Sequence, residues 1–263
     1  WPYARAAAEK AVTIDEGLAE AHTALALEAM SHRYDWHAAR EGFERALERN
    51  PSSVDALVWY AVLESGIWGE ADRAMQLMAR AERLDPRSRE VRFNKGFLPL
   101  NAGRPAEAVR AFESLVASEP EYYGGYEGLA IALAAQGRYE DALAAAQTTI
   151  AVADPNYDLP IGYLGYLYGR LGQRADALKQ LEQLDELAAR GRYVSPVTRA
   201  YVYAGLDEVD EAIAWLEKGF EERTHWLIWV GREPFHWGNL ASDPRFQDLV
   251  RRMNYPTPTA EAR

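Results

Sequence analysis

Apolar and polar residues follow one another along this chain with the period of a helix, and the pattern breaks at regular intervals. Ala4–Ile14 already reads as helix, with Ala7, Ala11 and Ile14 on one face. Further on, proline recurs at Pro51, Pro86, Pro120 and Pro155, separated by 35, 34 and 35 residues, with Glu16 in the equivalent earlier place. The stretches before it read as polar helix ends, as in Ala46-Leu47-Glu48-Arg49-Asn50-Pro51 and Ala81-Glu82-Arg83-Leu84-Asp85-Pro86. Ala39 and Phe43 stand 12 and 8 residues before Pro51; Ala74 and Met78 stand so before Pro86, and Ala108 and Phe112 before Pro120. Gly103, Gly137 and Gly172 punctuate the middle of successive units. A fixed period of this length is the mark of a repeat architecture, in which each unit buries its apolar face only against its neighbours.

The units resemble the tetratricopeptide repeat, whose period is about 34 residues. The best match is Gly162–Leu184, through Leu164-Gly165, Tyr168, Gly172, Ala177 and Leu181. A second runs through Leu129-Ala130 and Gly137-Arg138-Tyr139-Glu140-Asp141-Ala142. The resemblance implies an all-α fold, a right-handed α-solenoid of stacked antiparallel helix pairs. Small residues (Gly96, Ala130 and Gly165; Ala108, Ala142 and Ala177) let the backbones approach, while Tyr168 and Phe112 fill the space between neighbours. Residues 1–16 are then the second helix of a unit whose first helix is missing. Full units cover 19–52, 53–87, 88–121, 122–156, 157–192 and 193–224, so the solenoid spans 1–224.

Some units depart from the motif. Arg33-Tyr34-Asp35-Trp36 reads as an insertion at the turn of the first full unit. Lys95 stands where leucine is preferred, and Pro99 is expected to bend or shorten its helix. Gly191 is a natural helix stop, and Ser195-Pro196 a good start. After Glu222 the regularity ends. Residues 225–255 are expected to cap the solenoid, with Trp226, Trp229, Phe235 and Trp237 packing there and a last helix opening at Ser242-Asp243-Pro244. Residues 256–263 are expected to be a flexible tail.

Composition supports helix. Alanine occurs 45 times, against 29 for Val, Ile and Thr together; alanine loses no side-chain entropy in a helix, whereas β-branched residues lose χ1 freedom. The chain has 263 residues, of which 40 are acidic and 29 basic, for a net charge of −11. That balance argues against nucleic-acid contact by this segment, which needs a basic footprint. No apolar run approaches the ~20 residues of a membrane span. With no cysteine, disulfides, thiolate metal sites and a cysteine nucleophile are excluded. Trp1-Pro2-Tyr3 leads straight into a helical pattern with no signal peptide, so the chain reads as a cytoplasmic fragment of something longer.

No catalytic constellation stands out. His32 and His37 flank Asp35 but are five apart, one more than the spacing that puts two metal ligands on one helix face. His22 falls at a helix-packing position. Phosphate-cradling loops, Gly-x-Ser-x-Gly and His-Glu-x-x-His are absent. Gly124-Gly125 and Gly162–Gly169 lie inside helical repeats. The carboxylates read as solvated helix faces, Glu107 with Arg110 for example. No metal and no cofactor is expected.

The resemblance also implies a site. In such arrays the first helices line the concave face, and their second, fifth, ninth and twelfth positions point inward. On this chain the inward residues include Thr23, Leu27 and Met30; Val58 and Val62; Phe93, Phe97, Leu100 and Asn101; Glu127 and Ile131; Tyr166 and Arg170; Val197 and Tyr201. The groove reads as apolar and aromatic with few charges, suited to a peptide held by apolar anchors. The chaperone-binding type of array clamps a carboxylate with Lys and Asn; Thr23, Leu27, Phe93 and Phe97 stand at comparable positions here and argue against that clamp. The expected function is a non-catalytic interaction scaffold for a peptide or protein partner. The second reading is self-association into a homo-oligomer through the solenoid ends.

Tyr193-Val194-Ser195-Pro196, Tyr203-Ala204-Gly205-Leu206, Trp215-Leu216, Glu221-Glu222-Arg223 and Leu240-Ala241-Ser242-Asp243-Pro244-Arg245-Phe246-Gln247 resemble a bacterial group of these repeats. There the array forms the C-terminal part of a larger regulatory or signalling protein.

Overall fold

The structure is a computed structural model that describes residues 1–232 and 234–256, without the side chains of Pro234 and Phe235. The expected cap contact of Phe235 and all of the expected tail but Pro256 therefore lie outside the described residues. The chain divides into two compact units, Trp1–Ala102 with the segment from Met253, and Gly103–Arg252. Among the described residues there is no strand, and the helices pack in adjacent pairs.

In the first unit, α1 (Pro2–Ile14) opens on a proline at its first helical position, where the missing N–H costs nothing. α2 (Ala19–Glu28) and α3 (Trp36–Arg49) follow, then α4 (Val54–Leu63), α5 (Ala71–Leu84) and α6 (Arg89–Asn101). Asp35, Ser53 and Ser88 cap α3, α4 and α6 by accepting backbone N–H bonds from Ala38, Ala56 and Val91. Ala39, Ala46, Ala61, Ala74 and Ala81 are wholly buried, which lets neighbouring helices close on one another.

The apparent insertion at Arg33–Trp36 has a specific form. α2 does not end at a turn but widens into a π-helical stretch, Ala29–Arg33, closed by Tyr34 in the left-handed region at φ 54°. α4 does the same through Glu64–Trp68, closed by Gly69. The widened turn brings buried Glu64 to Arg40, which holds it with two hydrogen bonds of 2.7 and 2.5 Å and lies 4.1 Å from the Trp68 ring centroid. Pro99 does not shorten α6, which continues two residues beyond it to Asn101. So near the helix end, proline leaves only one carbonyl, that of Lys95, without its helical donor.

The second unit comprises α7 (Pro105–Ser118), α8 (Tyr123–Ala134), α9 (Tyr139–Val152), α10 (Asp158–Arg170), α11 (Arg174–Ala189), α12 (Pro196–Gly205) and α13 (Val209–Glu221). A 3₁₀ turn at His225–Trp229, the short α14 (Pro234–Trp237), a second turn at Gly238–Ser242 and α15 (Pro244–Arg252) complete it. Ile161, Ala177, Leu181, Leu184, Leu187 and Val202 form one apolar cluster between α10, α11 and α12. α10 and α12 meet backbone to backbone: a Cβ on Gly162 would lie 2.4 Å from the Thr198 carbonyl oxygen, and one on Gly205 2.3 Å from that of Tyr166. Buried Asp158 pins the start of α12, accepting the Ser195 N–H at 2.7 Å and the Thr198 hydroxyl at 3.2 Å.

Candidate functional site

The first helices of the pairs carry the residues expected to face a ligand, and the two units treat them differently.

In the second unit the chain's C-terminal segment covers two of the first helices, α10 and α12. His236 of α14 is buried among Tyr163, Tyr166 and Tyr201, with ring centroids 5.3, 5.6 and 5.2 Å away and every ring meeting it edge-on. The Tyr163 hydroxyl and His236 Nε2 share a hydrogen bond of 3.0 Å. Trp237 stacks on Tyr201 at 5.2 Å and 9°, and the Phe246 ring of α15 lies 5.9 Å from it. Trp237 is 1% exposed, and Tyr166 and Val197 are as deeply buried. Burial and the nearby Tyr139 raise the Tyr166 phenol above its ordinary range. Arg170 is engaged too, 3.5 Å from Asp207 and over the Tyr139 ring.

Earlier in the same unit, Glu127 is buried on α8 beside Tyr157, whose hydroxyl donates to it. Burial pushes its carboxyl up to about 7, and Oε2 has no partner among the described residues. Tyr123 and Tyr157 meet at 5.6 Å next to it, and Ile131 is half-buried one turn further on.

In the first unit, Val58 and Val62 are buried core residues, as are Met30 and Leu100. Phe93 and Phe97 lie edge to face at 5.1 Å, both half-buried, and Asn101 donates to Ser65 Oγ at 3.0 Å. Thr23 and Leu27 take part in a cavity of about 260 Å³, lined by Glu20, Thr23, Ala24 and Leu27 of α2, Ser53, Asp55 and Trp59 of α4 and its cap, and Glu90 of α6.

This cavity corrects the expectation of a groove with few charges, because three carboxylates stand on it. A signal for them was present in the sequence. Glu20, Asp55 and Glu90 each occupy the second position of a first helix and are spaced 35 and 35 residues apart. An acid in a helix's first turn is so commonly a favourable partner of the helix dipole that its spacing is easily passed over.

His22 hydrogen-bonds the Glu16 carbonyl through Nε2 at 2.9 Å, and His37 packs edge-on against Trp68 at 5.0 Å. Among the described residues, no three His, Asp or Glu side chains are arranged to hold a metal, and no helix is long and apolar enough to cross a membrane.

Comparison with known proteins gives a family match in two segments. The tetratricopeptide repeat model matches residues 23–89 and 100–158. Among solved structures, the chain is similar to PilW, described as a widely conserved type IV pilus biogenesis factor (TM-score 0.54, 21% identity, covering 88% of this chain and 98% of that one). It is also similar to a thermophilic repeat protein of Thermus thermophilus (0.52, 24%, 77% and 97%) and to PilF of Pseudomonas aeruginosa (0.51, 17%, 90% and 98%). At these identities the likeness is one of fold alone. No curated protein matches the chain by sequence.

Proposed function

We propose that the chain, of which residues 23–89 and 100–158 match the tetratricopeptide repeat model, is a non-catalytic scaffold whose first-helix face takes a peptide or protein partner. The observation that carries this reading is the cavity of about 260 Å³ on α2, α4 and α6, to which Thr23 and Leu27 contribute. Phe93, Phe97 and Asn101 are the further groove residues of the first unit in this reading, while Tyr166, Val197 and Tyr201 of the second serve the chain's own packing. The absence of a family-type basic clamp at Thr23, Leu27, Phe93 and Phe97 directs the reading away from free carboxylate termini. The motifs around Tyr193–Pro196 and Leu240–Gln247 support a setting within a larger cytoplasmic bacterial regulator.

The test is selection from a library of linear peptides displayed on phage. Peptides should be enriched on the wild-type chain and lost with Leu27→Arg at unchanged helical circular dichroism. Enrichment that ignores Leu27→Arg would reject the assigned face.

A specific observation also favours self-association. α1 exposes Tyr3 (93%) and Ile14 (77%), with Ala7 on the same helix also exposed. Sedimentation velocity should then show a dimer that Ile14→Glu dissociates; a monomer at all concentrations would remove this reading.

A further inference from the structure

The cavity of the first unit is lined by apolar and acidic side chains together. Ala24 and Leu27 come to it from α2 and Trp59 from α4. The two hydroxyls nearby are engaged: Thr23 Oγ1 donates to its own helix at the Ala19 carbonyl, 2.9 Å away, and Ser53 Oγ accepts the Ala56 N–H. The charged groups left to meet a ligand are the carboxylates of Glu20, Asp55 and Glu90, and none of them has a basic partner among the described residues. Elsewhere in the unit such groups are paired, Glu64 with Arg40 at 2.5 Å, Glu44 with Arg73 at 2.8 Å and Glu82 with Lys95 at 2.8 Å. Partial loss of solvent around it raises the Glu90 carboxyl, and repulsion from Asp55 raises it further. The helix dipoles account for one acid at the head of each helix. They do not account for three acids meeting, beside Leu27 and Trp59, on one cavity that no cation lines.

A cavity lined by hydrocarbon, indole and carboxylates is complementary to a side chain with an apolar stem and a cationic head. Because the acids come one from each of three successive pairs, such a side chain carried on an extended backbone running across the three first helices can meet them together. We infer that this cavity docks an extended basic segment of a partner protein, with a lysine or arginine stem on Leu27 and Trp59 and its cation among Glu20, Asp55 and Glu90. The inference rests on the interaction-scaffold reading and names the partner chemistry for it.

Three fluorescein-labelled nonapeptides, acetylated and amidated, with leucine alternating with arginine, glutamine or glutamate, would be titrated by fluorescence anisotropy. The arginine peptide should bind best. Its affinity should fall at least tenfold in the triple variant E20Q, D55N, E90Q, but less than threefold in E48Q, E113Q, E221Q, which makes the same change in net charge at exposed sites elsewhere. Equal losses in the two triple variants would mean attraction to overall charge and would overturn the site. Glutamine-peptide binding as tight as arginine-peptide binding, and sensitive to Leu27→Arg, would overturn the basic specificity while leaving the scaffold reading intact. No binding sensitive to Leu27→Arg would overturn both. Thermal melts of each variant check that the fold survives.

Discussion

The two units build the same kind of face from first helices and finish it in opposite ways. At the second position of α10 and α12 stand Leu159 and Val197, both buried. Nearby, Tyr163, Tyr166 and Tyr201 close around His236 and Trp237 of the chain's own C-terminal segment. At the second position of α2, α4 and α6 stand Glu20, Asp55 and Glu90, all exposed, on an open cavity. One architecture therefore supports an internal joint in one place and an open, acid-lined cavity in another. The choice is made by a few side chains at one repeat position, since desolvating three unpaired carboxylates is costly and desolvating leucine and valine is favourable.

The comparison is broken most strongly at the aromatic joint. Trp237→Ala removes a side chain that is 1% exposed. It should cost the second unit about 3–5 kcal/mol in chemical denaturation, yet leave peptide binding by the first unit unchanged. Lost binding would show that the joint and the cavity are not separate.

A pH series sharpens the same contrast. Each tenfold change in an ionisation equilibrium is worth about 1.4 kcal/mol, so buried Glu127 and half-buried His225 each contribute up to about 3 kcal/mol. Glu127, raised to about 7 from an ordinary value of 4.5, contributes stability that is present below 4.5 and lost as pH rises through 7. His225, lowered by burial to about 4 from 6.5, contributes stability that is present above 6.5 and lost as pH falls through 4. The two oppose each other in the second unit between pH 4.5 and 6.5. Glu127→Gln should therefore flatten the loss above pH 6.5 and uncover a steeper acid loss below it, read by denaturant midpoints at each pH. An unchanged profile would show that Glu127 ionises normally.

Gly205→Ala should cost roughly 1–3 kcal/mol, because its methyl would sit 2.3 Å from the Tyr166 carbonyl oxygen and force α10 and α12 apart. Smallest is the stability effect of E20Q, D55N or E90Q taken singly, about 0.3–1 kcal/mol for the one charge lost at a helix N-terminus. A larger loss in a thermal melt would mean that these acids are structural.

Much of the fold was legible because proline and glycine mark helix ends for local reasons. Gly103, Gly137 and Gly172, singled out by their spacing, all adopt the left-handed conformation, with φ of 71–75°. The insertion at Arg33–Trp36 was legible, but its π-helical form and the matching end of α4 were not. An extra residue in a widened turn leaves the apolar period almost intact, and Tyr34 gives no hint of positive φ. Of the site, Thr23 and Leu27 could be placed from the repeat position. Burial of Val58, Val62, Tyr166 and Tyr201 could not, since an inward position looks the same in sequence whether a ligand or the chain's own Trp237 covers it. The acids were visible but read as solvated faces, because pairing with lysine or arginine is a property of space rather than of sequence.

If the first unit's cavity receives the partner while the second unit's aromatic joint stays closed, amide hydrogen exchange with and without the arginine–leucine peptide reads the difference directly. The expected result is added protection in the first turns of α2, α4 and α6 and none across Asp158–Arg170 or Pro196–Gly205. Protection of α10 and α12 with no change at Glu20, Asp55 and Glu90 would contradict it.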